Sequence, residues 1–339
     1  MKPAYVSDLT PEQNITSYFL VCEKEVRTGQ SGKPYLRLEL GDRTGTVEAR
    51  MWDNFEEQAA GVSRDDFVKV QGRVDVYRGR NQLVVDRIRR AEPKEVDLED
   101  YFPHTAEDVE KLYAQLREHV ASVQNPWLHR LLTSVVEDPQ LVPGLKRAPA
   151  AKAMHNAYLG GLLEHVVSLC GLCRAVAARY PEIDADLLLS GAVLHDIGKV
   201  QELSYERSIN YTTEGMLLGH IIMELELVTK KMDAIEGFPP PLHTLIQHLL
   251  ISHHGRYEFG SPRLPMFREA VMLHYLDDLD SKIGAMRATL GSDKGEGEWS
   301  AYNAALERRL LRLDRFLAGE AASGEAQGEL PLKPPREDD

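Results

Sequence analysis

A histidine and an aspartate stand side by side in the segment SGAVLHDIGKV, residues 190–200, where almost every other residue is apolar. Read as a helix, DLLLSGAVLHDIGK is apolar on nearly all sides, and Gly198 is a natural stop just past its end. His195 and Asp196 therefore lie on the last, buried turn of a central helix. An unpartnered buried carboxylate is destabilising by several kcal/mol, so a positive partner is expected. Neutral imidazole and ionised carboxylate are typical ligands of a divalent first-row metal, and the pair is predicted to bind one.

Further candidate ligands lie on other predicted helices, since nine of the twelve histidines fall between His155 and His274. His165 shares an apolar helical face with Leu162 and Leu169 and so points towards the core. The other polar candidates at inward faces are His220, His253, His254, Asp277 and Asp280. Each alone is explained more simply as a core residue with a hydrogen bond. Together, polar residues from five apolar helices predict a shared metal site.

The first ninety residues have a different pattern: short segments rich in β-branched and aromatic residues, punctuated by glycines. Five strands at this spacing predict a small closed barrel. The stretch LELGDRTGTVEARMWD resembles the OB-fold nucleic-acid-binding domains, whose barrels hold single strands on one face.

A local basic excess supports nucleic-acid binding by this barrel. Residues 69–90 hold seven Lys or Arg against two acids, and neighbouring aromatic rings are suited to stacking on bases. The residues predicted to bind nucleic acid are Tyr35, Trp52, Lys69, Arg73, Tyr77, Arg78 and Arg80. The alternative is a solvated strand face with the aromatic rings in the core.

The chain divides by pattern into a barrel at 1–92, a linker and helical connector at 93–149, an all-α domain at 150–318, and an acidic tail at 319–339 that is expected to be disordered. The fold class is therefore multidomain, all-β followed by all-α. Helices are expected near residues 105–123, 126–137, 150–179, 185–197, 213–233, 241–252, 265–290 and 298–318.

Composition narrows the function classes. A length of 339 residues suits two domains, and the net charge of −13 argues against coating nucleic acid by bulk electrostatics. Three cysteines form no disulfide framework, and Cys170 and Cys173 are expected to be core residues rather than half of a zinc site. No run reaches the roughly 20 apolar residues of a membrane span, and no signal peptide opens the chain, so a cytoplasmic protein without membrane contact is expected.

The order His165, His195-Asp196, His220, His253-His254, Asp277 resembles the HD-domain superfamily of metal-dependent phosphohydrolases, with HDIGK as the signature. With the barrel, and with AKAMHNAYLGGLLEHVVS and SHHGRYEFGSPRLPMFREAVMLHYLDDLDSKI, the chain resembles the YhaM-type 3′→5′ exoribonucleases.

This resemblance implies a role for each matching residue. The primary metal ligands are His165, His195, Asp196 and Asp277, and the additional ones are His220, His253 and His254. Asp196 is implied to bridge two ions, with Mn²⁺ as the expected metal and Fe²⁺ as the alternative.

Three further residues match positions near the site. Lys199 is implied to face a phosphate oxygen and, with Asp196 and His155, to take part in catalysis. His155 matches a position where these enzymes often show a His-His pair, but Asn156 follows it here, so its acid-base role is in question. Asp280 is expected to support ligands rather than bind metal.

The implied reaction is removal of 5′-mononucleotides from the 3′ end of single-stranded RNA, with single-stranded DNA as a further substrate. The resemblance also suggests a homo-oligomer. One alternative is a phosphohydrolase acting on nucleotides or cyclic dinucleotides. Another is a non-catalytic nucleic-acid-binding protein with a structural metal, and a third is a helical scaffold whose histidines are core residues.

Overall fold

The computed structural model describes residues 2–29, 32–152, 156–205, 209–293 and 295–318. His155 and the predicted tail at 319–339 lie outside the described residues. The chain divides into two compact units, Met1–Asp277 and Asp278–Asp339. The domain boundaries expected at residues 92, 149 and 318 stay predictions.

Five strands near the N-terminus close into a barrel in the order β1-β2-β3-β5-β4. They are β1 Asn14–Thr28, β2 Pro34–Asp42, β3 Gly45–Met51, β4 Phe67–Tyr77 and β5 Arg80–Arg90. All pairs are antiparallel except β3 with β5. A short helix, α1 (Phe55–Gln58), lies between β3 and β4. The predicted five-stranded barrel is confirmed.

Alternation along the strands explains the barrel core. In β2, Leu36, Leu38 and Leu40 are fully buried, whereas Arg37 and Glu39 between them are partly exposed. Successive side chains of a strand point to opposite faces, so the leucines fill the barrel and the charged residues stay outside.

Helices are the main elements of the rest of the described chain. Its helices are α2 Val109–Ala121, α3 Pro126–Val136, α4 Val142–Arg147, α5 Gly161–Arg179, α6 Ala185–Leu194, α7 Lys199–Glu202, α8 Thr213–Asp233, α9 Pro240–Ser252 and α10 Arg268–Ser292. Two short strands, β6 (Leu203–Ser204) and β7 (Asn210–Tyr211), pair between α7 and α8. Short 3₁₀ turns occur at Val6–Asp8, Pro93–Glu95, Leu98–Asp100 and Tyr257–Phe259.

Helix α6 is the centre of the helical core, as expected from its composition. Every residue from Leu187 to Leu194 is buried, and α5, α3 and α9 pack around it. On α5 the stripe containing Leu162, His165 and Leu169 is buried. The side chains of His165 and His195 therefore start from the middle of an apolar interior.

Two expected helices differ from the structure. The helix expected at 150–179 begins only at Gly161, because Asn156 and Gly160 adopt left-handed backbone conformations (φ 46° and 79°) that a helix does not accommodate. The helix expected at 298–318 is irregular up to residue 312. There the buried guanidinium of Arg312 donates to the carbonyl oxygens of Gly297 and Trp299, which folds the segment back.

One helix in the described part of the chain, α5, is long and apolar enough to cross a membrane by length and composition. This corrects the expectation that no run was long enough. Its buried stripe belongs to the helical core, and core helices of soluble proteins commonly meet the same criteria, so the finding is weak evidence for a membrane span.

Candidate metal centre and nucleic-acid interface

The end of α6 presents the signature pair to the protein interior. His195 follows the last helical residue and is fully buried, and Asp196 is almost as buried. His195 Nδ1 lies 3.0 Å from the carbonyl oxygen of Ala192, so this nitrogen donates to it. In the neutral ring, Nε2 then carries a lone pair directed away from the helix.

A first cluster forms around that lone pair, from His165 on α5, His195 after α6 and Asp277 on α10, whose donor atoms all lie within 4.8 Å of one another. His165 Nε2 is 3.3 Å from His195 Nε2 and 3.3 Å from Asp277 Oδ1. Three elements distant in sequence thus bring their donor atoms to one point.

A second cluster consists of His220 on α8 with His253 and His254 after α9. His220 Nε2 and His254 Nε2 are 3.2 Å apart. His253 Nδ1 donates to the carbonyl oxygen of Leu250, and His254 Nδ1 donates to that of Phe259, both at 2.7 Å. In neutral rings these bonds leave Nε2 as the lone-pair atom that faces the cluster.

Asp196 lies between the two clusters. Its Oδ2 is 3.4 Å from His195 Nε2 and 3.8 Å from His165 Nε2. Its Oδ1 is 3.6 Å from His220 Nε2 and 4.0 Å from His253 Nε2. One carboxylate therefore faces one cluster with each oxygen, which is the arrangement of a bridging ligand.

The local electrostatics favour the protonation states that bind metal. Burial alone would raise the pKa of Asp196, but Lys199, whose Nζ is 2.7 Å from Oδ2, and the neighbouring imidazoles hold that pKa well below its usual value. Burial lowers the pKa values of His253 and His254. The carboxylate is therefore ionised and these two imidazoles are neutral near pH 7.

The donor set fits a divalent cation. His220 Nδ1 lies 3.2 Å from Glu202 Oε1, so in neutral rings the Nε2 lone pairs of His220 and His254 face each other, an arrangement that is repulsive unless a cation lies between them. His253 Nε2 is buried without a hydrogen-bond partner. Imidazole nitrogens and carboxylate oxygens that converge in this way are compatible with a divalent metal.

Comparison with known protein families finds one family that matches the barrel and another that matches the helical part of the chain. The profile of the OB-fold nucleic acid binding domain matches residues 21–91, and that of the HD domain matches residues 162–282. The 3′-5′ exoribonuclease YhaM of Bacillus velezensis is 36% identical over 298 residues, which are 88% of this chain and 94% of that protein. The protein of the same name from Bacillus subtilis is 35% identical over the same shares.

The chain belongs to the YhaM family of 3′-5′ exoribonucleases. This membership confirms the predicted combination of an OB-fold with a helical HD domain, and the prediction of a hydrolase of the nuclease class. Among solved structures, the second OB-fold domain of replication protein A from Methanococcus maripaludis is 23% identical, covers 26% of this chain and 94% of that chain, and has a TM-score of 0.22. This partial likeness adds nothing to the fold described above.

Two carboxylates in this YhaM-family site were missed by the sequence interpretation. Glu202 Oε1 accepts hydrogen bonds from the backbone nitrogen and Nδ1 of His220, at 3.0 and 3.2 Å. Glu224 is fully buried, with Oε1 3.7 Å from His253 Nδ1, and burial raises its pKa well above the usual value. The signal for Glu224 was present, because it lies four residues after His220 in an otherwise apolar turn. Of the described residues, neither cluster includes Asp280.

Gly198 of the HDIGK signature permits the close approach of α7 to α8. A Cβ at this position would lie 2.3 Å from the carbonyl oxygen of His220 and 3.0 Å from the backbone nitrogen of Glu224. Only glycine fits between these backbones. The contact fixes His220 relative to Asp196, two residues before Gly198.

On the barrel of this YhaM-family chain, four of the predicted nucleic-acid residues form a group. The rings of Tyr35 and Trp52 stack with centroids 4.5 Å apart, and Tyr35 is buried, so for this residue the alternative of a core ring is correct. Trp52 and Tyr77 are 44% and 47% exposed, and Arg78 lies over the Tyr77 ring. Arg50, which the sequence interpretation missed, has its guanidinium 5.5 Å from the Tyr35 centroid and 5.0 Å from that of Tyr77.

Two of the other predicted basic residues, Lys69 and Arg73, lie elsewhere on β4, whereas Arg80 pairs in register with Tyr77. Lys69 is paired in register with Tyr18 on β1 and with Arg89 on β5, and its ammonium lies 5.2 Å from the Tyr18 ring centroid. Arg73 is exposed on the same strand, and Arg80 begins β5 next to the hairpin. The structure therefore places Tyr35, Trp52, Tyr77 and Arg78 together and Lys69 apart from them.

Proposed function

We propose that the chain is a divalent-metal-dependent 3′→5′ exonuclease that hydrolyses the terminal phosphodiester of single-stranded RNA, and of single-stranded DNA as a second substrate. The observation that carries the proposal is the position of Asp196, whose two carboxylate oxygens face two separate donor clusters. Similarity to relatives named 3′-5′ exoribonuclease supports the polymer substrate and the direction.

The metal set is proposed as two ions, with Mn²⁺ as the first candidate and Fe²⁺ as the second, because both accept mixed imidazole and carboxylate ligands. Asp196 would bridge them. His165, His195 and Asp277 would hold one ion, and the ligands of the other would be His220, His253 and His254. Bound divalent ions supply Lewis acidity and an activated water at such sites.

In the proposed reaction, a water oxygen forms a bond to the terminal phosphorus while the bond from phosphorus to the O3′ of the preceding nucleotide breaks. The water proton ends on that O3′, and the terminal residue leaves as a 5′-monophosphate. The Lys199 ammonium, whose Nζ lies 2.7 Å from Asp196 Oδ2, would neutralise charge on a non-bridging phosphoryl oxygen. His155, outside the described residues, stays a predicted acid-base residue.

Upstream nucleotides would stack on the exposed rings of Trp52 and Tyr77, with Arg50 and Arg78 near the phosphates, and the buried ring of Tyr35 would support Trp52. Removing one stacking ring costs about 1–3 kcal/mol of binding per base. Trp52→Ala should thus weaken single-stranded RNA binding about 5- to 150-fold in fluorescence anisotropy. Trp299→Ala, which removes an exposed indole outside the barrel, is the matched control and should leave the affinity unchanged.

A gel time course tests the reaction itself. Single-stranded RNA and DNA carrying a 5′ label are incubated with Mn²⁺ or EDTA and with wild type, Asp196→Ala or Asp278→Ala. Wild type with Mn²⁺ should give a ladder that shortens from the 3′ end, and EDTA or Asp196→Ala should abolish it. Asp278→Ala removes a partly exposed carboxylate next to the proposed ligand Asp277 and should retain the ladder.

Intact substrate in every lane would contradict the proposal, as would full activity of Asp196→Ala. Faster turnover of nucleoside triphosphates or cyclic dinucleotides than of oligonucleotides would replace the polymer substrate with a small one.

A cytoplasmic location and a homo-oligomeric state belong to the proposal as well. Free Cys22, Cys170 and Cys173 agree with a reducing compartment. Light scattering on the purified protein tests the oligomeric state, and a monomer would contradict it. Cell fractionation tests the location, and recovery outside the cytoplasm would contradict it.

A further inference from the structure

A short aromatic turn adjoins the second histidine cluster. Tyr257–Phe259 form a 3₁₀ turn that begins three residues after His254, and the Tyr257 and Phe259 side chains are 57% and 55% exposed. Both rings are therefore accessible to a ligand. We propose that this turn stacks against the base of the 3′-terminal nucleotide; this inference rests on the proposed function.

The turn is joined directly to the metal centre. His254 Nδ1 donates to the carbonyl oxygen of Phe259 at 2.7 Å, while His254 Nε2 faces His220. The His254 imidazole alone therefore lies between the Phe259 backbone and the place, between His220 and His254, where a cation would bind. A phosphate held at the cluster would place its attached nucleoside within the neighbourhood of this turn.

The turn is a fixed platform. The backbone nitrogens of Phe259 and Ser261 both donate to the carbonyl oxygen of Arg256, and Gly260 closes the turn with a φ of 82°. The buried Ser261 hydroxyl contacts the carbonyl oxygens of Ile251 and Arg263, which attaches the turn to the end of α9. Rigid rings lose little entropy when a base stacks on them.

The chemistry of the turn favours a nucleobase as the occupant. The Arg256 guanidinium lies 5.6 Å from the Phe259 ring centroid, so a cation accompanies the exposed rings, as suits an anionic strand. Another exposed apolar group, Met216–Leu218 on α8, is aliphatic and offers no planar ring. Stacking accepts all four bases, which an enzyme that exposes a new terminal base at each turnover requires.

The first test measures stacking without turnover. An RNA oligonucleotide carries 2-aminopurine at its 3′ end and a methylene group in place of the terminal bridging O3′, which prevents cleavage. Wild type with Mn²⁺ should quench the 2-aminopurine fluorescence, and Phe259→Ala should lose most of that quenching. Phe259→Trp should restore it.

Tyr180→Ala is the matched control. Tyr180 is 44% exposed, and the Arg179 guanidinium lies 5.5 Å from its ring centroid, so it forms a similar aromatic-cation pair. It lies fifteen residues after His165, at the other end of α5 and about 22 Å away along the helix. Tyr180→Ala should quench the 2-aminopurine fluorescence as strongly as wild type does. If Phe259→Ala also quenches it as strongly as wild type, the inference is overturned.

The second test separates stacking from support of the metal ligands. Phe259→Ala should lower kcat/KM on RNA roughly 5- to 150-fold, the range for one base stacked on an aromatic ring, and leave hydrolysis of bis(p-nitrophenyl) phosphate unchanged. An equal loss on both substrates would assign Phe259 to positioning His254 and overturn the inference. If wild type cleaves neither substrate but Phe259-dependent quenching remains, the proposed function fails and the stacking site stands.

Discussion

Replacement of Gly198 by alanine tests how the HDIGK segment sets the geometry of the site. The added Cβ would lie 2.3 Å from the His220 carbonyl oxygen, against at least 3.4 Å in an ordinary contact. Both neighbouring atoms belong to the backbone of α8, so no side-chain rotation relieves the overlap. The two helices must separate by about 1 Å, and overpacking of this kind costs about 1–3 kcal/mol.

The same displacement would move His220 away from Asp196, whose Oδ1 now lies 3.6 Å from His220 Nε2. Disturbing the support of a metal ligand commonly weakens metal affinity about 10- to 100-fold. The stabilisation that saturating Mn²⁺ gives should therefore shrink by about 1.4–2.7 kcal/mol relative to wild type.

Urea unfolding followed by circular dichroism at 222 nm, in EDTA and in Mn²⁺, measures both effects. Gly171→Ala is the matched control, since Gly171 lies in the interior of α5 with open space around the position of a Cβ. That variant should gain about 0.4–1 kcal/mol and keep the full Mn²⁺ increment. A Gly198→Ala protein with wild-type stability and a wild-type Mn²⁺ increment would refute the reasoning.

Three further predictions concern residues around the site and in the helical core. Glu202→Ala removes the acceptor of His220 Nδ1 and should weaken metal affinity about 10- to 100-fold in calorimetric titration. Glu202→Gln keeps a carbonyl acceptor and should lose less affinity. Equal affinities of the two variants would contradict the role of Glu202 as the hydrogen-bond acceptor that orients His220. The hydrogen bond from Lys231 lowers the pKa of Asp138, so this carboxylate stabilises the fold above its usual pKa and loses that contribution as pH falls through the lowered value. Asp138→Asn should cost at most about 1 kcal/mol at pH 7 and flatten the acid-side decline in unfolding free energy, and an unchanged pH profile would refute this. Native protein should expose only the partly buried Cys22 to a thiol reagent, and the other two cysteines should react after unfolding; three fast thiols would contradict the described core.

The polar residues of the metal centre could be predicted because their surroundings are apolar. His195 and Asp196 directly follow a helix in which every residue from Leu187 to Leu194 is buried, and His165 interrupts the inner stripe of α5. Buried polar residues need partners, so burial predicted from periodicity also indicated the candidate ligands.

Features that depend on contacts between distant segments were less accessible to sequence reasoning. Glu202 supports His220 only because α7 and α8 approach closely at Gly198, and no periodic pattern records that approach. The irregular segment before residue 313 was predicted as a helix because the helical period continues almost to the end of the chain. In the structure, the Arg312 guanidinium is satisfied by carbonyl oxygens that a helix would have used internally. Arg50 was missed because its position over Tyr35 and Tyr77 depends on the barrel closure.

The central claim is that the two donor clusters hold two divalent ions bridged by Asp196. Anomalous diffraction from a crystal soaked in Mn²⁺ tests it most directly. Two peaks about 3.5–4 Å apart are expected, one against His165, His195 and Asp277 and the other against the second cluster. A crystal with no peak at Asp196, or with Mn²⁺ bound only elsewhere on the molecule, would contradict it.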